Sequence, residues 1–110
     1  MAYDAAFSPW GRTYLVGTSP VQVPTTNNDA PTSYRVRNLS ASQQYFTWTY
    51  DAPGSPTPTI TVTVPSAGSP STNTIGMAPY TVEVFGTLPP NAWFQANAAG
   101  AFEITAGEGL

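Results

Sequence analysis

The most regular hydrophobic pattern in the chain is the alternation TITVTV at residues 59–64, where threonines share one face and aliphatic side chains the other. A period of two is typical of a β-strand with one buried face. Other short runs rich in β-branched and aromatic residues are bounded by Pro, Gly, Ser and Asn. They predict further strands at residues 12–17, 21–23, 33–39, 43–50, 73–77, 79–85, 92–96 and 101–105.

This pattern predicts an all-β domain. No window shows apolar residues at helical spacing over ten or more positions, and 12 prolines interrupt the chain. Short strands with turns at regular intervals favour a two-sheet antiparallel β-sandwich, with either a jelly-roll or an immunoglobulin-like connection. A length of 110 residues fits one core. We therefore predict a single β-sandwich domain at residues 12–110, preceded by an extended N-terminal arm at residues 1–11.

The predicted arm carries three aromatic residues, Tyr3, Phe7 and Trp10, separated by small residues and Pro9. Aromatic side chains on a segment with little secondary-structure tendency need a surface that buries them. The arm either folds back on its own domain or anchors to a neighbouring subunit. We predict the second arrangement, in which these three residues bind a partner.

Composition excludes several kinds of chemistry. Charged residues make up only 8% of the chain, and it contains no Cys and no His. Disulfides, thiolate metal sites and histidine-dependent catalysis are therefore excluded. A net charge of −3 argues against nucleic-acid binding, and no apolar run reaches the roughly 20 residues that span a membrane. We predict a non-enzymatic protein without cofactor, metal, nucleic-acid or membrane partner.

Carboxylates offer the remaining routes to catalysis or metal binding. Asp51 with Glu83, or Glu83 with Glu103, could form a general acid–base pair across neighbouring strands. Oxygens of residues 27–29 could hold a hard cation, although the spacing matches no calcium loop. Solvated acidic side chains explain the same residues more simply.

Two arginines form the strongest polar candidate for partner binding. Arg35 and Arg37 are two residues apart in a predicted strand, so both side chains point to the same face. They could bind an acidic partner, or pair with Glu83 or Glu103 within the domain. Cross-strand pairing is the simpler interpretation, and both residues are kept as partner-binding candidates.

The predicted strand at residues 43–50 is rich in aromatic residues. Alternation places Phe46, Trp48 and Tyr50 on one face and Tyr45 on the other. The aromatic face could be a stacking platform for a sugar, but in a small sandwich such residues usually belong to the core.

Several stretches of the chain resemble the decoration, or cement, proteins of tailed-bacteriophage heads. They are residues 21–24 (VQVP), 34–39 (YRVRNL), 73–77 (NTIGM), 82–85 (VEVF), 89–93 (PPNAW) and 107–109 (GEG). The resemblance implies a sandwich or jelly-roll body on the outer surface of the capsid of a virion. It also implies a structural protein that binds the major capsid protein and bridges neighbouring capsomers.

Two further expectations accompany this resemblance. The low charge of the surface predicts a homo-oligomer, a dimer or trimer, and edge-to-edge strand pairing is one way to form it. The alternative function is a carbohydrate-binding or adhesin module of a phage tail or fibre, with exposed Trp and Tyr as sugar platforms.

Overall fold

The computed structural model describes residues 8–24, 32–49, 57–71, 73–88 and 91–108. In this part of the chain there are eight strands and no helix. The strands are β1 (Ser8–Val16), β2 (Val21–Gln22), β3 (Thr32–Asn38), β4 (Gln44–Thr49), β5 (Ile75–Met77), β6 (Val82–Leu88), β7 (Trp93–Ala96) and β8 (Phe102–Glu108). The predicted all-β class is confirmed.

The strands form two antiparallel sheets of four. The front sheet has the order β1-β8-β3-β6, and the back sheet has the order β2-β7-β4-β5. The first strand pairs with the last, the second with the seventh, the third with the sixth and the fourth with the fifth. Four nested antiparallel pairs rolled into two sheets are the connectivity of a jelly roll, whereas an immunoglobulin domain keeps several consecutive strands in one sheet.

The core lies between the two sheets and is built around Phe46 of β4. Its ring is 5.1 Å from that of Phe102, 5.6 Å from that of Phe85 and 6.3 Å from that of Phe94, measured between centroids. Phe46 is 1% exposed, and Trp48 on the same face packs against the cluster. The prediction that this face of residues 43–50 belongs to the core is confirmed for both residues. Tyr50 lies outside the described residues.

Strand β1 begins earlier than the sequence predicted. Ser8 and Pro9 pair with Glu108 and Gly107 of β8, so residues 8–11, assigned above to the arm, continue the strand. The register shifts between Pro9 and Thr13. Pro9 cannot donate a ladder hydrogen bond, but an edge strand such as β1 tolerates it. Tyr3 and Phe7 lie outside the described residues.

The segment with the cleanest alternation, residues 59–64, is not part of either sheet, so that predicted strand is wrong. It belongs to the connection between β4 and β5. Side chains bind its carbonyl oxygens: Gln95 Nε2 donates to Ile60 at 3.1 Å and Asn73 Nδ2 donates to Thr61 at 3.2 Å. Since Gln95 alternates with two core residues of β7, this segment covers the outer face of the back sheet.

Tyr34, on the inner face of β3, links the sheets through its hydroxyl group. The buried backbone N–H of Ala92 donates to Tyr34 Oη at 3.2 Å. Replacing Tyr34 with Phe is therefore expected to lower the free energy of unfolding by about 1–2 kcal/mol, because the amide loses a buried acceptor. Urea denaturation at neutral pH measures the difference.

The contribution of Tyr34 to the free energy of unfolding is also expected to decline in alkali. Burial raises the pKa of Tyr34, and hydrogen bonds from the backbone of Ala92 and Asn91 offset only part of this shift. The folded state keeps the proton where the unfolded chain loses it, so this contribution is complete below pH about 10 and declines above it. Tyr34→Phe lacks the contribution, so the stability difference between the two proteins should shrink in alkali. A constant difference would contradict the prediction.

Candidate functional site

The charges of the described strands are confined to one sheet. All three arginines, Arg12, Arg35 and Arg37, lie in strands of the front sheet, and the four strands of the back sheet contain no charged residue. The back sheet is also covered in part by the β4–β5 connection. The outer face of the front sheet is therefore the better candidate for a partner-binding surface.

Two rows of side chains cross this outer face, which we call the docking face. Antiparallel register places each row across all four strands. The first row consists of Leu15, Glu103, Arg37 and Val82. The second row consists of Thr13, Thr105, Arg35 and Val84. Along each strand, the residue between a member of the first row and a member of the second row points to the opposite face. Two such residues, Val36 and Ile104, are fully buried in the core, so both rows face outward.

Large apolar side chains stand at both ends of the first row. Leu15 on β1 is 64% exposed and Val82 on β6 is 42% exposed. Single exposed apolar residues are common, but these two frame one row of a four-stranded face. The row therefore combines exposed apolar side chains at its two ends with charged side chains in its middle.

The two arginines differ in their partners. Arg35 Nη1 lies 3.6 Å from Glu103 Oε1, and both side chains are partly exposed, so the pair contributes about 0–1 kcal/mol to stability. The predicted cross-strand pairing is thus present for Arg35. Arg37 lies opposite Glu103 in register but forms no ion pair with any residue of the described part of the chain. Its side chain is exposed.

A shallow cavity of about 350 Å³ adjoins the second row. It is lined by Pro9, Thr13, Arg35 and Thr105, at the place where the register of β1 against β8 shifts. The hydroxyl oxygens of Thr13 and Thr105 are 2.7 Å apart, so this hydrogen bond holds β1 against β8 beside the cavity. The register shift of β1 thus coincides with a depression beside the second row of the docking face.

The edges of both sheets oppose strand pairing with another molecule. Strand β1 carries Pro9 and the register shift. Strand β2 is only two residues long and is flanked by Pro20 and Pro24. Strand β5 has three residues, while β6 has a register shift and carries the exposed Glu83. Proline, irregular register, short length and charge on an edge strand all discourage edge-to-edge association. Partners of the described sandwich are better accommodated by its faces than by its edges.

The structure does not assemble the carboxylate pair considered above. Glu83 lies opposite Val36 on the inner side of the front sheet, whereas Glu103 lies opposite Arg37 on its outer side. The two carboxylates are thus separated by the sheet. Asp51 and residues 27–29 lie outside the described residues, and within the described ranges no three potential metal ligands cluster.

Trp48 and Trp93, the aromatic candidates for sugar stacking, lie on opposite faces of the back sheet. Trp48 pairs with buried Phe94 and faces the core, while Trp93 pairs with Thr49 on the other side. Both are only partly exposed. They cannot form one stacking platform, although Trp48 does line a separate shallow cavity of about 390 Å³.

Sequence reasoning identified Arg35 and Arg37 but missed the apolar ends of the first row. The alternation of residues 12–17 groups Thr13 with Leu15 and Tyr14 with Val16. Both groups contain a large apolar residue, so the pattern did not indicate which group faces the solvent.

Comparisons of the chain with protein-family models, curated proteins and solved structures found no match. In the described ranges, no helix has the length and apolar character that crossing a membrane requires.

Proposed function

We propose that this protein is a non-enzymatic structural protein of a tailed-bacteriophage virion, which binds the outside of the capsid and stabilises it by bridging neighbouring capsomers. The observation that carries the proposal is the docking face, an outward-facing four-stranded surface with apolar ends and an accessible Arg37. The six sequence stretches that resemble decoration proteins support it. Jelly-roll connectivity is compatible with it, since this architecture is common in viral capsid and lectin domains.

The docking face would act by contact with the major capsid protein. Leu15 and Val82 would lose water against apolar side chains, and Arg37 would pair with a carboxylate. Each contact is modest, but a chain that engages two capsomers at once gains from multivalency. Tyr3 and Phe7 of the N-terminal segment and Trp10 of β1 remain proposed anchors, and a dimer or trimer would multiply the contacts further.

The proposal is tested by sedimenting native source material through a density gradient and quantifying this chain by mass spectrometry. Amounts in the particle fraction comparable to the major shell protein are expected. A few copies per particle would instead favour a tail or fibre component, and absence from particles would overturn the proposal.

Arg37→Ala is expected to weaken binding to purified particles about five- to tenfold at low salt, with little change in stability, because its guanidinium is exposed. The effect should diminish as salt is added. Co-sedimentation of labelled protein with particles measures it.

Arg12→Ala is the matched control, since Arg12 is also exposed and its loss changes the net charge equally. It lies outside the two rows of the docking face. Equal weakening by both variants would show a general charge effect and contradict a specific contact of Arg37.

A carbohydrate-binding or adhesin module is the second candidate. It is favoured by the cavity that Trp48 lines, because Thr47, Asn73 and Thr74 surround it with neutral hydrogen-bonding groups. Acrylamide quenching of tryptophan fluorescence, with and without a panel of glycans, tests this function. Protection by a glycan would support it, and unchanged quenching would count against it.

A further inference from the structure

One end of the sandwich is closed by four short turns. They are residues 17–20, 39–43, 78–81 and 97–101. Backbone hydrogen bonds join them or their flanking strands: Leu39 N donates to Ala101 O at 2.9 Å, and Ala96 N donates to Gly17 O at 2.7 Å. None of the chain's three basic and six acidic residues lies in these turns. We call this surface the turn end.

Tyr80 is the large side chain that the turn end exposes most. Its side chain is 62% exposed, and its backbone has a φ of 57°. This left-handed conformation is unusual for a bulky residue and is strained relative to glycine. Among the described residues its hydroxyl group has no hydrogen-bond partner, and its ring has no aromatic contact. The fold therefore holds an unfavourable backbone conformation without an evident contribution of this side chain to packing.

Asn38 imposes that conformation on the turn. Its Nδ2 donates to the carbonyl oxygens of Met77 and Ala78, both at 3.0 Å, and its backbone N–H donates to Thr81 O at 2.9 Å. Thr81 Oγ1 also donates to Ala78 O at 2.7 Å. These hydrogen bonds fix the backbone on both sides of Tyr80. Strain that the surroundings maintain in this way is frequent at functional positions.

Tyr80 lies in the turn that leads into β6, next to the docking face in sequence. It precedes Val82 by two residues, and Val82 lies opposite Arg37. Of the four large apolar side chains exposed in the described part of the chain, Leu15 and Val82 belong to this face and Tyr80 lies in the turn beside it. Tyrosine and arginine are also the residue types that most often dominate binding energy at protein interfaces.

We propose that Tyr80 is the anchor of the docking face and inserts into an uncharged apolar pocket of the shell protein, beside a carboxylate that pairs with Arg37. This inference rests on the proposed function. The lack of charge at the turn end matches an uncharged pocket, and the exposed cation matches the carboxylate. A rigid aromatic ring loses little conformational entropy when it binds, which suits an anchor.

The test compares Tyr80→Gly with the unmodified protein in co-sedimentation with purified particles. Glycine adopts the left-handed conformation without strain, so the melting temperature should stay the same or rise. Affinity for particles should nevertheless fall at least tenfold, as for an interface hot spot. Val64→Ala is the matched control, because Val64 is 46% exposed and lies outside the docking face, and it should bind as the unmodified protein does.

The results of the Tyr80→Gly test distinguish failure of this inference from failure of the proposed function. Unchanged binding of Tyr80→Gly, with the unmodified protein bound, overturns the role of Tyr80 and leaves the proposed function intact. Failure of the unmodified protein to bind particles overturns the proposed function and this inference with it. Sedimentation velocity of the free protein identifies a third outcome: loss of an oligomer in Tyr80→Gly would assign Tyr80 to contact with a second copy and overturn the shell-protein pocket.

Discussion

Asn38→Asp is expected to lower the free energy of unfolding by about 3–5 kcal/mol, because it places an unpaired charge in the interior. Asn38 is fully buried, and its Nδ2 donates to the carbonyl oxygens of Ser42, Met77 and Ala78. A carboxylate has nearly the same shape but cannot donate to any of them. Chemical denaturation at neutral pH measures the loss.

Asn97→Asp is the matched control for this experiment. Asn97 Oδ1 accepts the backbone N–H of Tyr45 at 2.9 Å, an interaction that a carboxylate preserves. Its side chain is also partly exposed, so the new charge stays hydrated. We expect a change within about 1 kcal/mol. An equal loss in both variants would show that a new carboxylate destabilises the fold at either position, and would contradict the importance of the buried, donating position of Asn38.

Asn38 also connects stability with the proposed binding site, because two of its three acceptors lie beside the turn that presents Tyr80. Variants of Asn38 should therefore lose binding together with stability. Tyr80→Gly should lose affinity for particles without losing stability. This contrast separates a residue that positions the anchor from the anchor itself.

Phe46→Ala is expected to lower the free energy of unfolding by about 3–5 kcal/mol, since it removes a buried ring and leaves a cavity. Phe46 contacts Phe85 and Phe102 of the front sheet and Phe94 of its own sheet. Its removal should therefore weaken the contact between the sheets. Urea denaturation, monitored by tryptophan fluorescence, measures the change.

Two variants control the Phe46 experiment. Phe46→Leu retains most of the buried volume and should cost about half as much as alanine. Leu15→Ala removes a side chain that is 64% exposed and should change stability by less than about 0.5 kcal/mol. A small effect of Phe46→Ala would contradict its central place in the core.

Much of the secondary structure could be predicted because it depends on local pattern. Alternation and turn residues predicted a strand at or overlapping each of the eight, although β1 begins at Ser8 and not at residue 12, and β6 and β8 continue three residues beyond their predicted ends. They also placed Phe46 and Trp48 on the core side of β4 and Arg35 and Arg37 on one face of β3. These results follow from the period of two, which each strand carries in its own sequence.

Residues 59–64 show the limit of such reasoning. Their alternation correctly predicted exposed threonines and more buried Ile60 and Val62, but not the absence of a neighbouring strand. Alternation indicates that a segment has one more buried and one more exposed side. It does not indicate what forms hydrogen bonds with the backbone of the segment. Here the side chains of Asn73, Thr74 and Gln95 do so, and not a neighbouring strand.

The sequence by itself determined the all-β class, the absence of cysteine and histidine chemistry, and the low charge that directs attention to binding. Only the tertiary structure decided the jelly-roll connectivity, the pairing of Arg35 with Glu103 and the union of Leu15, Arg37 and Val82 in one row. The reason is physical. Composition and period are properties of each segment, whereas pairing across strands depends on which distant segments the buried core brings into register.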